Sequence, residues 1–249
     1  MTLCFQRWTV IAVLFGSSVV TAFAQASDAW REGNEQYAAG HFAEASDLYE
    51  QLVKSGETSA NLFYNLGNAA FRLGDLGRAI LHYERALALE PNHPEAQANL
   101  RLARDQARAL PLRKSWSDRA LEWATSKHYV LAAAICFWLA AFSFAAWFLA
   151  RRRSKALAAV WVLALLLFGG AACAVYALET GATGRELAIV VGKNIEARLA
   201  TADNAGSVLA LPPGSEIKIL SRRGEWVYAA LPNDARGWIP AQAVERVRL

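Results

Sequence analysis

Cysteine is nearly absent from this chain, with three in 249 residues. Cys4 falls in an apolar N-terminal stretch, and Cys136 and Cys173 fall inside two long apolar runs. No segment facing water retains a cysteine, which excludes a disulfide framework there. Inside the runs the two thiols act as small apolar packing residues. A redox role would want an exposed, low-pKa thiolate, and burial in a bilayer raises the pKa instead. Recognisable catalytic chemistry is missing as well. The four histidines, His41, His82, His93 and His128, are scattered, and no Cys/His cluster has the spacing of a metal site. Neither a G-x-S-x-G elbow nor a phosphate-cradling loop occurs. Paired acids such as Glu32 and Glu35 sit on an ordinary helical pattern as a solvated face. The expectation is a protein that is not an enzyme, with no catalytic residue, metal or cofactor.

Charge is missing altogether from Tyr129–Ala150 and Ala156–Leu178. Each run reaches roughly 33–35 Å as a helix, enough to cross a hydrocarbon core of about 30 Å. Between them stands Arg151-Arg152-Arg153-Ser154-Lys155, five residues with four positive charges. Five residues cannot cross back, so the runs form a helical hairpin whose basic turn stays in the cytoplasm. The chain before Tyr129 and the chain after Leu178 then lie together on the other side of a bacterial inner membrane. Tyr129 and Tyr176 fall at one interface, Trp147 and Trp161 at the other. Ala145, Ala146, Gly169, Gly170 and Ala174 allow close helix approach. With no acid, lysine or histidine inside either run, a transporter is disfavoured.

The formal net charge of +4 misleads, because it sums over compartments. Gln25–Leu110 holds 12 acids against 8 bases, and the chain from Glu179 onward holds 9 bases against 8 acids. The surplus lies in the basic turn and in Pro111–His128, flanking the apolar runs, so nucleic-acid binding is not implied. Residues 1–24 have the build of a secretory signal: Arg7, the apolar Trp8–Thr21, then Ala22-Phe23-Ala24 before a mature start at Gln25. An uncleaved anchor is the alternative, and either one exports the region after it. Residues 111–128 carry Trp116, Trp123, Arg113, Lys114, Arg119 and Lys127. They form either a short helix lying on the bilayer or a solvated linker.

From Ser27 to Ala107 the periodicity is helical and repeats at a shift of 34 residues. Gly33 meets Gly67, Asn34 meets Asn68, Tyr37 meets Phe71, Gly40 meets Gly74, Ala45 meets Ala79 and Tyr49 meets Tyr83. This period, with Leu66-Gly67, Ala79, Tyr83, Ala86 and Pro91, resembles the tetratricopeptide repeat. Two copies (about 26–59 and 60–93) are expected within 25–110, followed by a capping helix over Pro94–Ala107. The resemblance implies a concave groove on the first helix of each pair that holds a peptide or protein. On this chain its residues are Trp30, Asn34, Tyr37, Asn61, Tyr64, Asn68 and Phe71. Tyr37 and Phe71 have a competing role in the core. Trp30 and Glu95 stand where a carboxylate-gripping groove wants bases, which argues against that groove type.

After Leu178 the pattern changes to short strands separated by turns. Candidates are Glu186–Val191, Ser207–Leu211, Glu216–Leu220, Trp226–Leu231, Gly237–Ile239 and Val244–Val247. Pro213-Gly214, Gly224-Glu225-Trp226 and Gly237-Trp238-Ile239-Pro240 together resemble a bacterial SH3-like barrel over 184–249. Trp226 is expected to seal it and Trp238 to begin its last corner, with ligand contact as their alternative role. Ala197-Arg198-Leu199-Ala200 departs from that family's first turn.

The fold class is therefore a multidomain membrane protein: an all-α repeat region, a two-helix hairpin with spans 129–150 and 156–178 around the turn 151–155, and an all-β SH3-like barrel. This order resembles the BatE-like family of aerotolerance-operon proteins. The resemblance implies a membrane-anchored scaffold in an envelope-stress or aerotolerance complex. Its implied partners are membrane proteins with von Willebrand factor A-type domains and a MoxR-type ATPase. The alternative is a peptidoglycan-binding envelope protein that recruits a cell-wall enzyme.

Overall fold

The computed structural model describes residues 28–113, 119, 126–150, 154–180 and 184–248. The expected leader, Lys114, Trp116 and Trp123 of the juxtamembrane segment, and Arg151–Arg153 of the basic turn lie outside the described residues. The chain divides into two compact units, the first built on the helices up to Ala109 together with Val191–Lys193 and Pro212–Gly214, the second on the hairpin and sheet in the rest of the chain from Leu110.

The first unit is a run of helices: α1 (residues 28–38), α2 (Phe42–Lys54), α3 (Ala60–Arg72), α4 (Leu76–Leu89) and α5 (Pro94–Ala107). Their ends are written in local chemistry. Ser59 Oγ accepts the Leu62 N–H at 3.1 Å and Asp75 Oδ1 accepts the Arg78 N–H at 3.1 Å, each satisfying a donor that the first helical turn leaves open. Pro94 opens α5, where a missing N–H costs nothing. Gly40 (φ 84°) and Gly74 (φ 76°) come after α1 and α3 in the left-handed region, 34 residues apart, and turn the chain into the next helix. Between the pairs lies a core of Ala45, Tyr49, Leu52, Leu62, Phe63, Leu66, Ala86 and Ala96. Burying one such large side chain contributes roughly 1.5–3 kcal/mol. Ala96, Leu100 and Ala103 put one face of α5 inside, and its other face is mostly polar apart from exposed Ala98 and Leu102, the pattern of a cap.

The second unit holds α6 (Ser126–Leu149) and α7 (Lys155–Thr180). Both are long and apolar enough to cross a membrane, over Lys127–Leu149 and Lys155–Glu179. They pack through Ala140, Ala164 and Ala174, with ring contacts Phe137–Phe168 (6.0 Å) and Phe144–Trp161 (5.4 Å). Of the small residues expected at the contact only Ala174 is there. Ala145 and Ala146 face outward, and Gly169 and Gly170 have nothing within 4 Å of an added Cβ. The contact line instead runs through Cys136, Ala140, Ser143 and Trp147, at steps of three and four. Ser143 donates its hydroxyl to Leu139 O (2.6 Å) and Ala140 O (3.1 Å), so its polar group is satisfied within its own helix.

The same unit carries seven antiparallel strands: β1 (Leu187–Val190), β2 (Ile195–Arg198), β3 (Ser207–Leu211), β4 (Glu216–Arg223), β5 (Trp226–Ala230), β6 (Arg236–Pro240) and β7 (Val244–Arg246). They form one sheet in the order β3-β2-β6-β5-β4-β1-β7, open between β3 and β7. Leu211 of β3 and Val244 of β7 nonetheless share one core with Ala188, Val190, Ala197, Ile217, Val227, Ala229 and Ile239, so the sheet coils around a single interior. Strand alternation decides which aromatics enter it. Val227 and Ala229 of β5 and Ile239 of β6 point in, which turns Trp226, Tyr228 and Trp238 to the opposite face, where they are only half-buried. Trp226 and Trp238 are therefore not core residues, against expectation. Strand β2 also went unanticipated: it is short and buries only Ala197 fully. Its Arg198 donates to the carbonyls of Asp203 and Ala205, bracing the loop between β2 and β3.

Residues 110–113 lie along the start of β4. Leu110 N–H donates to Ser215 Oγ (3.1 Å), Glu216 N–H to Leu110 O (3.0 Å) and Leu112 N–H to Glu216 Oε2 (3.0 Å). Arg113 pairs with Asp234 at 2.9 Å. Ser215 and Glu216 are both buried, so the first three bonds are shielded from water, whereas the Arg113 pair is exposed and weak. Glu216→Ala removes the acceptor for Leu112, a charge-assisted bond of about 1.5–3 kcal/mol. Trypsin cleavage after Arg113 in the full-length protein is expected to accelerate roughly tenfold if opening precedes cutting. Unchanged cleavage would show that the segment is held by other means.

Candidate functional site

The 34-residue shift recurs in three dimensions as a repeated set of four side chains. Gly33 sits under the ring of Tyr49, and Gly67 under the ring of Tyr83. A Cβ at Gly67 would lie 2.6 Å from both Cδ1 and Cε1 of Tyr83, so the bare glycine is what lets the ring lie flat on α3. Each tyrosine then reaches the asparagine next to its glycine. Tyr49 OH donates to Asn34 Oδ1 and Tyr83 OH to Asn68 Oδ1, both at 2.8 Å. A second asparagine joins from the next first helix: Asn65 Nδ2 donates to Asn34 Oδ1 at 3.1 Å, and Asn99 Nδ2 to Asn68 Oδ1 at 2.9 Å. Burial raises the pKa of Tyr49 and Tyr83, so both stay protonated as donors.

This set fixes what the asparagines can offer a ligand. The two lone pairs on the carbonyl oxygens of Asn34 and Asn68 are taken, leaving their amide N–H groups. Asn65 and Asn99 each spend an N–H and retain a carbonyl. Donors and acceptors thus stand on the faces of α1, α3 and α5, in the combination an extended backbone can pair with.

Two cavities open on these faces. One, of about 160 Å³, is lined by Tyr37, Asn68, Phe71, Arg72, Tyr83, Asn99 and Leu102. The other, of about 530 Å³, is lined by Trp30, Asn61, Tyr64, Asn65, Glu90, His93, Pro94 and Glu95. Six of the seven groove residues expected from sequence line one or the other: Tyr37, Asn68 and Phe71 the first, Trp30, Asn61 and Tyr64 the second. Asn34 lines neither and acts through its bonds to Tyr49 and Asn65. Tyr37 lines the cavity and also packs against the core, meeting Phe42 edge-on at 5.2 Å. Arg72 is poised over the Phe42 ring, 4.4 Å from its centroid.

Several lining residues were not anticipated. Asn65 and Asn99 are 34 apart, so the internal shift could have found them. Glu90 and His93 lie in the connection between α4 and α5, where helical periodicity carries no information. His93 is held on both ring nitrogens: Nδ1 accepts the Ala96 N–H at 3.3 Å, and Nε2 lies 3.3 Å from Asn61 Oδ1. Among the described residues, no three His, Cys, Asp or Glu side chains are placed to hold a metal ion.

Residues 31–94 match the model of a tetratricopeptide repeat family. No curated protein matches the chain. Repeats of this kind indicate a role in protein–protein interaction and are typical of scaffold modules without catalytic activity.

Proposed function

We propose that this protein is a membrane-anchored scaffold that holds an extended segment of a protein partner across α1, α3 and α5. The observation carrying this reading is the duplicated tyrosine–asparagine set, which holds backbone-pairing groups at equivalent places in two successive repeats, with a cavity beside each. The hairpin fits an anchor whose basic turn stays in the cytoplasm, putting the helical unit and the sheet on the periplasmic side. The order of parts supports membership of an envelope-stress or aerotolerance complex with von Willebrand factor A-type membrane proteins, as the BatE-like resemblance implies.

The asparagine set also dictates how to test the groove. Asn34→Ala or Asn68→Ala would strand a buried tyrosine hydroxyl and destabilise the repeats by about 1–3 kcal/mol, confusing folding with binding. Asn61 and Phe71 line the cavities without supporting Tyr49 or Tyr83. A photocrosslinking amino acid at Asn61 or Phe71 in native membranes is expected to trap a defined protein, and one at exposed Gln51 of α2 is not. Equal trapping at all three positions, or none at Asn61 and Phe71, would defeat the groove.

A second reading has one observation in its favour. Tyr228 and Trp238 stand side by side on the outer face of the sheet with ring centroids 5.0 Å apart, and Trp226 lies on the same face. Such a pair of neighbouring rings, tilted 38° to each other, suits a sugar ring or an extended peptide of the cell wall, as an SH3-like module in a peptidoglycan-binding protein would. Retention on purified sacculi that Trp238→Ala abolishes would favour this reading over the scaffold alone.

A further inference from the structure

The two cavities differ in charge. The larger carries Glu90, just past α4, and Glu95, in the first turn of α5, and among the described residues lining it none is lysine or arginine. The smaller carries Arg72 and no carboxylate. Both acids in the larger cavity are exposed at its mouth, while Trp30, Tyr64 and His93 give it ring surface, with Tyr64 and His93 centroids 5.0 Å apart.

One effect opposes a cation here. The N-termini of α3 and α5 both border the cavity, and each helix end presents about half a positive charge. Both ends are partly satisfied already, by Ser59 Oγ and by His93 Nδ1. Two full carboxylates outweigh two half charges, so the cavity remains net negative. Glu95 Oε2 lies 3.1 Å from His93 Nδ1. The other ring nitrogen, Nε2, faces Asn61 Oδ1 at 3.3 Å, and Glu95 is exposed, so its carboxylate remains open to a ligand from the solvent side. Ring faces beside carboxylates form a setting in which a cation is attracted by both.

Resting on the groove reading above, we infer that the larger cavity seats a cationic side chain, lysine or arginine, from an extended segment of a protein partner. Arg72 at the other cavity makes the groove electrostatically polar and so gives the bound segment a direction.

The test uses the full-length protein in lipid nanodiscs and a random dodecapeptide library. Selection is expected to enrich peptides with lysine or arginine at one fixed position. Replacing that residue by norleucine in a resynthesised peptide should weaken binding about tenfold, the scale of a partly exposed ion pair with a ring contact. Glu90→Gln with Glu95→Gln should weaken the lysine peptide about as much and leave the norleucine peptide unchanged. Peptides enriched without a basic position, or a lysine peptide held equally by the double variant, would overturn the cation site while leaving the groove standing. Failure to enrich any peptide over empty nanodiscs would remove the groove, and the cation site with it.

Discussion

Gly67→Ala will destabilise the helical unit by about 2–3 kcal/mol, although the same exchange in an open helix stabilises by about 1 kcal/mol. The reason is Tyr83. The new Cβ would arrive 2.6 Å from two ring carbons, and the ring is 1% exposed and tethered through its hydroxyl to Asn68. It cannot turn aside without breaking that bond and disturbing the layer between repeats. Overpacking costs roughly 1–3 kcal/mol, and a buried bond lost adds about another 1 kcal/mol or more. The check is a urea titration monitored at 222 nm in detergent. Gly33→Ala repeats the experiment against Tyr49, with a closest approach of 2.7 Å. Gly169→Ala is the control, because nothing lies within 4 Å of its added Cβ. Gly67→Ala with Tyr83→Leu should recover part of the loss, since the two sites share one contact. A Gly67→Ala midpoint equal to that of the parent would mean that Tyr83 does not pack as described.

That glycine was visible in the sequence because it recurs. A shift of 34 residues superposes Gly33 on Gly67 and Tyr49 on Tyr83, and a repeated small–large pair is what a close helix contact requires. The cavity linings were visible to the extent that they lie on helices: the periodicity of the first helices picks out Trp30, Tyr37, Asn61, Tyr64, Asn68 and Phe71, along with Asn34, which lines neither cavity. Glu90 and His93 were not, because they stand in a turn with no period and reach the cavity only through the tertiary path of the chain. The hairpin contact was hidden for a different reason. When a helix is apolar all round, small residues are no guide to its inner face, and Ala140 and Ala164 won that face while Gly169 and Gly170 did not. In the sheet, aromatic size suggested a core role for Trp226 and Trp238. The alternation of β5 and β6 overrode it, because Val227, Ala229 and Ile239 occupy the inward register.

Acidification is expected to loosen the helical unit through His82. The residue is 7% exposed in α4, stacked on Phe63 with ring centroids 6.2 Å apart, and its Nδ1 has no hydrogen-bond partner among the described residues. Burial pushes its pKa down to about 3, with the charges of Arg85 and Arg78 acting the same way. Where the proton binds sets the sign. Above pH about 6.5, the ordinary histidine value, the ring is neutral in both folded and unfolded chains and stability is unaffected. Below it the unfolded chain takes up a proton that the folded one refuses, so stability falls until the pH reaches the folded value. The loss at pH 5 is about 2 kcal/mol, approaching about 5 kcal/mol near pH 3. A unit of two repeats and a capping helix has little reserve against such a loss. His82→Leu removes the group at similar volume and should flatten this dependence, so that its urea midpoint falls less than the parent's between pH 7 and pH 5. Every other titrating group is common to both proteins, so the difference between the two slopes isolates His82. Equal slopes would show that its ring takes up a proton in the folded protein as readily as in the unfolded chain.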